Sequence, residues 1–224
     1  MAARGMETIV VVTGGDELDV DDLPTLPPSA LVVAADSGID RALGLGLRVD
    51  VAVGDFDSVS DGAMRAVVDA GAEVQRHRAA KDATDLELAL EAALLRGPGR
   101  IVVLGGHGGR LDHLLANMLL LASDELSEVE VVAQMGPARV TVIRAVAQLH
   151  GRPGDTVTLL PVHGVASGVS TTSLLYPLAD EDLAPGSTRG VSNEMTATPA
   201  LVSVRAGTLL AVQPGRFGPY PSRT

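Results

Sequence analysis

The sequence predicts a mostly parallel α/β sheet with flanking helices, followed by a smaller all-β domain. Two changes of pattern carry that expectation. Through the first 136 residues, short β-branched runs alternate with amphipathic segments of helical period, as in parallel strands joined by crossover helices. From residue 137 the runs are separated by Gly, Pro, Ser and Thr with no helical segment among them, the pattern of a small sandwich. The boundaries follow: 1–136 for the α/β domain and 137–224 for the β domain. With 46% apolar residues in 224, the chain can bury a real core. That core is aliphatic, because the chain has no tryptophan and its aromatics are Phe56, Phe217, Tyr176 and Tyr220.

Strands are expected at 7–12, 31–35, 51–54, 72–75, 100–104 and 129–133, with helices near 39–45, 60–70, 84–96 and 111–122. The last helix pairs a polar stripe (Arg110, His113, Asn117) with an apolar one (Leu111, Leu114, Leu115, Met118) that should be buried. In the second domain, strands are expected at 139–144, 156–161, 174–176, 194–196, 201–205 and 208–212.

The formal net charge of −11 works against a nucleic-acid partner, whose phosphates demand clustered Lys and Arg. Without cysteine there are no disulfides, thiolate nucleophiles or cysteine-bound zinc, in keeping with a reducing compartment. The apolar run Ile9-Val10-Val11-Val12 is too short for a signal-peptide core and meets acid at once. The stretch at 111–122 is interrupted by Asp112, His113 and Asn117, so no membrane span is expected and the cytoplasm is the expected location. Lys81 is the only lysine beside sixteen arginines. Codon preference accounts for the bias, but a compact ammonium kept among planar guanidinium groups marks a place where the two are not equivalent.

The chemistry concentrates at strand ends. Gly54-Asp55-Phe56-Asp57-Ser58 closes the third strand, and in extended backbone Asp55 and Asp57 face one side and Phe56 the other. Two carboxylates aimed at one point call for a cation; the alternative is a turn in which Ser58 and Asp61 cap the next helix. Asp36, followed by Ser37-Gly38, ends the second strand, and Asp82 and Asp85 precede or open the third helix, where Thr84 and Glu87 also match a capping box. The carboxyl ends of parallel strands form the ligand crevice, so Asp36, Asp55 and Asp57 should gather on that edge. The turn Gly105-Gly106-His107-Gly108-Gly109-Arg110 leads into the polar stripe and offers N–H groups to an anion, without the spacing of the common phosphate-loop motifs. His113 reads as part of a wall of that site, the alternative being a core histidine with its hydrogen bonds met.

Taken in order, Asp36-Ser37-Gly38, Gly54-Asp55-Phe56-Asp57-Ser58, Lys81-Asp82-Ala83-Thr84-Asp85-Leu86-Glu87, Gly108-Gly109-Arg110-Leu111-Asp112-His113 and Gly190-Val191-Ser192-Asn193-Glu194 resemble the thiamine pyrophosphokinase (thiamine diphosphokinase) family. The resemblance spans about residues 7 to 213. It implies a Rossmann-like α/β catalytic domain that binds ATP and Mg2+, then a β-sandwich that binds thiamine and dimerises, in a homodimer with thiamine between subunits. The implied reaction moves a diphosphoryl group from ATP to the thiamine hydroxyl and releases AMP.

By the same resemblance, Asp36, Asp55, Asp57, Asp85 and Asp112 hold magnesium and orient the phosphates, with Asp55, Asp57 and Asp85 as the metal ligands. Lys81 and Arg110 contact phosphate, and with the three ligand acids form the catalytic set. Ser37, Gly38, Thr84, Gly109, His113 and Asn117 complete the ATP site, and Ser192 and Asn193 meet thiamine. Relatives stack an aromatic residue on thiamine, in some cases the tryptophan that this chain lacks. Two alternatives stand beside this reading: another metal-dependent nucleotide-diphosphate transferase, and a non-catalytic nucleotide or thiamine sensor.

Overall fold

In the computed structural model, which describes residues 7–77 and 83–215, the chain divides into two units, Met1–Gly136 and Pro137–Thr224. Lys81 and Asp82 of the expected site lie outside the described residues.

The first unit runs β1 (Thr8–Val12), β2 (Leu31–Ala35), α1 (Gly38–Gly44), β3 (Val51–Gly54), α2 (Asp61–Asp69), β4 (Glu73–Arg76), α3 (Asp85–Leu94), β5 (Arg100–Leu104), α4 (Leu111–Leu120) and β6 (Glu130–Met135). Its strands lie in the order β4-β3-β2-β1-β5-β6, every pairing parallel. β1, β3 and β5 read TIVVV, VAVG and RIVVL and are buried almost throughout, as strands covered on both faces must be. β4 (EVQR) is charged and largely exposed, which protects the edge from pairing with another chain.

Because side chains alternate, Val10 and Val12 face one layer and Ile9 and Val11 the other. The first layer is a core of Val10, Val12, Val32, Ala34 and Leu104 closed by Ile39 and Ala42 of α1 and Ala63 and Val67 of α2. α3 packs across β1, β2 and β3 through buried residues such as Leu86, Ala89, Leu90 and Ala93. It opens with the expected capping box: the Thr84 hydroxyl accepts from the Glu87 N–H at 3.3 Å, and the Glu87 carboxylate from the Thr84 N–H at 3.4 Å. α2 is capped by Ser60, whose hydroxyl accepts from the Ala63 N–H at 3.2 Å, and not by Ser58.

The apolar stripe expected to be buried on α4 is not. Leu111 is 70% exposed, Leu115 56% and Leu119 49%, and no residue of the helix is fully buried. Helical period predicts an apolar face, but not whether the same chain covers it.

The second unit comprises β7 (Ala138–Ile143), β8 (Val146–Leu149), β9 (Thr156–Thr172), β10 (Glu181–Leu183), β11 (Asn193–Glu194), β12 (Ala200–Ser203) and β13 (Ala206–Gln213). Its pairings are antiparallel. β9, 17 residues long, is its spine, pairing with β13, β12, β10 and β11 along its length. Val157, Leu159, Ala166 and Val169 from β9 meet Leu149, Val202 and Leu209 in one aliphatic core. Sequence reading ended β9 at 161, did not foresee β8 or β10, and expected a strand at 174–176 where a single bridge, Leu174 to Met195, is found. The fold is thus an α/β unit with few helices and a β-rich second unit. Over the whole chain the description mostly parallel and Rossmann-like is not quite accurate, since the parallel pairings are confined to the first unit and those of the second are antiparallel.

Candidate nucleotide and thiamine sites

The strand order reverses between β1 and β5, since the chain leaves β1 for β2 on one side and β5 for β6 on the other. This leaves a crevice beyond their carboxyl ends. Two glycine turns fill its rim, Thr13-Gly14-Gly15-Asp16 after β1 and Gly105–Arg110 after β5. They bond to each other: the Thr13 N–H donates to the Leu104 carbonyl at 3.0 Å, Gly106 to Gly14 at 2.8 Å and Asp16 to His107 at 2.9 Å. Between them and the start of α3 lies a cavity of about 580 Å3, to which Thr84, Asp85, Gly109, Arg110, His113 and Asn117 all contribute. Asn117 braces the turn by donating from Nδ2 to the Gly106 carbonyl at 2.9 Å. The Thr84 hydroxyl is already committed to its cap.

Sequence reading gave no role to two side chains here, Arg41 and His107. Arg41, from α1, donates from Nη2 to the Gly15 carbonyl, while its Nη1 is buried without a partner. A side chain at Gly105 would strike the Thr13 carbonyl at 2.4 Å and crowd Arg41 Nη1 at 3.1 Å, so only glycine lets the guanidinium lie beneath both turns. Burial lowers the Arg41 pKa, and the Asp16 and Glu17 charges oppose that shift. His107, its Nδ1 buried and unpartnered, is likewise pulled down by burial, against the charge of Asp16. The Gly14-Gly15 pair directly after a strand was the available signal for this half of the crevice.

Beside the crevice stands the acid cluster. Asp36, 4% exposed, takes a left-handed φ of 44° that points its carboxyl over the end of β3. There Gly54 has no side chain to block it, since a Cβ would sit 2.3 Å from Asp36 Oδ1. Oδ1 accepts the Phe56 N–H at 2.8 Å. Burial pushes the Asp36 pKa up to about 6, with further upward pressure from a carboxyl–carboxyl hydrogen bond to Asp85 and from the Asp85 and Asp55 charges.

Asp55 and Asp57 do not share a face as extended backbone would dictate. Phe56 adopts φ 66°, the chain turns, and the Asp57 N–H caps Asp55 Oδ1 at 3.1 Å. Phe56 packs on the core, and Arg76 of β4 holds the turn from outside, its guanidinium 4.9 Å from the ring centroid and its Nη1 2.9 Å from the Asp55 carbonyl. Asp55 and Asp85 are thus near enough to Asp36 for their charges to act on it, while Asp57, like Asp85, is exposed. Asp112 stands apart, held by a two-point ion pair with Arg110 that draws its pKa down to about 2. That pairing also occupies the cation expected to meet phosphate. Among the described residues, no three acids or histidines are pre-arranged as a metal cage. Ser37 and Gly38 pack against the β1 turn: a Cβ on Gly14 would meet Ser37 Oγ at 2.4 Å, and one on Gly38 the Val12 carbonyl at 2.3 Å.

The β-rich unit has its own cavity, about 410 Å3, lined by Tyr176, the turn 187–191 and Asn193. Asn193 is 3% exposed and its carboxamide is bonded to the backbone of Tyr176. Ser192 is not among the lining residues; it sits at a left-handed φ of 54° with its N–H on Thr158 Oγ1 at 3.0 Å.

A crevice that offers peptide N–H groups beside hard carboxylates suits a phosphate ester accompanied by a cation, which is the working arrangement of nucleotide-dependent phosphotransferases. Comparison with known proteins narrows this class. Residues 25–133 match the thiamin pyrophosphokinase catalytic domain and residues 143–209 the thiamin pyrophosphokinase vitamin B1 binding domain, so the chain belongs to the thiamin pyrophosphokinase family. Thiamine pyrophosphokinase of Bacillus subtilis (strain 168) is 27% identical over 217 residues, 93% of this chain and 99% of that protein. The crystal structure of the Bacillus subtilis enzyme superposes with a TM-score of 0.82 at 26% identity, covering 94% of this chain and all of that one. A thiamin pyrophosphokinase family protein from Enterococcus faecalis gives 0.77 at 27% identity, covering 95% of this chain and 100% of the other. The chain is accordingly an ATP-dependent diphosphotransferase, and the family's reaction converts thiamine and ATP to thiamine diphosphate and AMP.

Two outcomes follow from the geometry. Asp36 binds a proton more tightly folded than unfolded, so its contribution to stability is complete below 3.8 and is lost as pH rises toward about 6. Asp36→Asn tolerates the same φ and still accepts the Phe56 N–H. In metal-free buffer at pH 7.5 it should melt above the parent, and melting curves from pH 4 to 7.5 should show a shallower decline. Arg41→Met removes the bond to Gly15 and the charge behind both turns. It should raise the ATP KM about tenfold or more, leaving the thiamine KM near the parent value, with Arg41→Lys in between.

Proposed function

We propose that the crevice between the β1 and β5 turns is the ATP site and that Asp36, Asp55, Asp57 and Asp85 form its magnesium side. The observation that carries this is that the buried carboxyl of Asp36, whose ionisation is opposed by the neighbouring Asp85 and Asp55, stands beside a glycine-lined cleft that Asp85 itself lines. Acids so placed repel one another and a polyphosphate unless a proton or cation lies among them. An all-oxygen donor set suits Mg2+ rather than softer metals. The bound ion would supply neutralisation of charge on the phosphate oxygens. The chain's own residues align the polyphosphate: N–H groups of the two turns bind its oxygens, Arg41 and Asn117 hold the turns still, and the first turns of α3 and α4 add their dipole ends. Arg110 and His113 flank the cleft, and Lys81 is assigned a phosphate contact on sequence grounds.

In the β-rich unit, the Tyr176 ring takes the part of the absent tryptophan as the surface on which thiamine rests. It is 58% exposed on the cavity that Asn193 also lines, and thiamine's thiazolium is a cation that an aromatic face attracts. The protein works as a homodimer, with the partner subunit completing the thiamine site, and operates in the cytoplasm. Support for a partner comes from the apolar row Leu111, Leu115 and Leu119, which this chain leaves exposed beside the phosphate cleft.

The direct test is incubation with ATP, Mg2+ and thiamine. Thiamine diphosphate with AMP is the expected product pair; ADP with thiamine monophosphate would replace this reading with a one-phosphate kinase. Asp55→Asn and an excess of chelator should each cut turnover by orders of magnitude while circular dichroism stays unchanged. Full activity in chelator would remove the metal from the scheme. Sedimentation of the active species should give a dimer, and a fully active monomer would refute the shared site.

A further inference from the structure

The two hydrogen-bonding edges of Asn193 are already in use. Its Oδ1 accepts from the Tyr176 N–H at 3.0 Å and from the Glu194 N–H at 2.9 Å, and its Nδ2 donates to the Tyr176 carbonyl at 2.7 Å. Both lone-pair positions of the amide oxygen and one of its two N–H bonds are thereby spent. At 3% exposure, little of the group is left for a ligand. The carboxamide acts toward Tyr176 as a neighbouring strand would, taking its N–H and supplying a donor to its carbonyl. It extends a short zipper in which Leu174 bridges Met195 and the Leu175 N–H donates to the Glu194 carbonyl at 2.8 Å.

The following residue is held from the other side. Arg189 Nη2 donates to the Pro177 carbonyl at 3.3 Å, while Nε and Nη2 grip the Glu181 carboxylate at 2.9 and 2.8 Å. This two-point pair fixes the plane of the guanidinium and cancels its charge, so a cationic substrate entering the cavity meets no net repulsion from it. The backbone on each side of Tyr176 is thus pinned while the residue, 58% exposed, lines the cavity. An aromatic surface whose backbone is immobilised beforehand loses little freedom on binding.

We propose that Asn193 and Arg189 are positioning residues that fix the Tyr176 ring as the thiamine platform, and that Asn193 does not itself read the substrate. The inference rests on the reading of Tyr176 as the thiamine-facing ring and goes beyond it in assigning how that ring is held.

A double-mutant cycle on the intact enzyme, with thiamine varied at saturating ATP, tests both levels. Tyr176→Ala should raise the thiamine KM about tenfold, the scale of a lost aromatic–cation contact, with the ATP KM unchanged. Asn193→Ala should raise the thiamine KM several-fold, and the double variant should be within about twofold of Tyr176→Ala, because a residue acting through Tyr176 has nothing left to position. If the two losses multiply, or if Asn193→Ala leaves the thiamine KM at the parent value, the proposal is overturned and the Tyr176 reading stands. If Tyr176→Ala alone has no effect on the thiamine KM, the Tyr176 reading itself fails. Should Asn193→Ala not fold, Arg189→Met, from an exposed pair, replaces it in the cycle under the same criteria. An independent readout uses the absence of tryptophan: in a Tyr220→Phe background Tyr176 is the only emitter left in the chain. Thiamine should quench that emission, and Asn193→Ala should shift the quenching to higher thiamine; an unshifted curve would count against the positioning role.

Discussion

Where β1 and β5 lie side by side, no connection crosses the space beyond their carboxyl ends, because the chain departs from them in opposite directions. The two turns that leave must still satisfy their peptide groups in a partly buried setting. They do so on one another, by the bonds from Thr13 to Leu104, Gly106 to Gly14 and Asp16 to His107. That mutual pairing continues the parallel ladder past the ends of the strands and sets the width of the cleft. Arg41 beneath and Asn117 beside it keep the turns from drifting. Every other group of the site is placed relative to this pair.

The acid at the centre of the cluster is held at a cost to stability. A carboxyl that is 4% exposed beside two other acids raises its own pKa to about 6 and works against the folded state at neutral pH. It persists because the backbone is over-determined around it: Asp36 itself turns left-handed, Gly54 makes room, the Phe56 N–H needs an acceptor, and Arg76 clamps the far side of the turn. The charge economy of Arg110 is different in kind. Both it and Asp112 are solvent-exposed, so their pairing adds little to stability and can be exchanged for contacts with an incoming anion.

The β-rich unit solves a separate problem, presenting a polar rim and one aromatic ring from loops. Its rigidity comes from β9, which ties the other strands to one core, and from side chains that substitute for strand partners where regular pairing ends. Asn193 and Thr171 both act in this way, the latter accepting the Leu178 N–H at 2.9 Å. A loop held by buried side chains can keep a fixed shape while its outer surface stays open to a ligand.

Local chemistry decided a good deal of this protein in advance. β2, β3 and β5 begin and end where their β-branched runs do, the Thr84–Glu87 capping box forms as spelled, and Asp36 and Asp55 follow neighbouring strands because parallel strands bring their carboxyl ends to one edge. These features depend on side-chain period and on cap and strand-end chemistry, which a linear string carries. What depended on neighbours distant in sequence could not be seen there. The left-handed turn at Phe56 answers to Asp36, twenty residues away, and the exposure of α4 to which surfaces this chain happens to cover. The length of β9 reflects four different partners, and the amide of Asn193 is engaged by Tyr176, seventeen residues earlier. A residue's type states what it can bond to; only the folded chain decides which partner is within 3 Å, and that choice separates a residue that touches substrate from one that holds its neighbour in place.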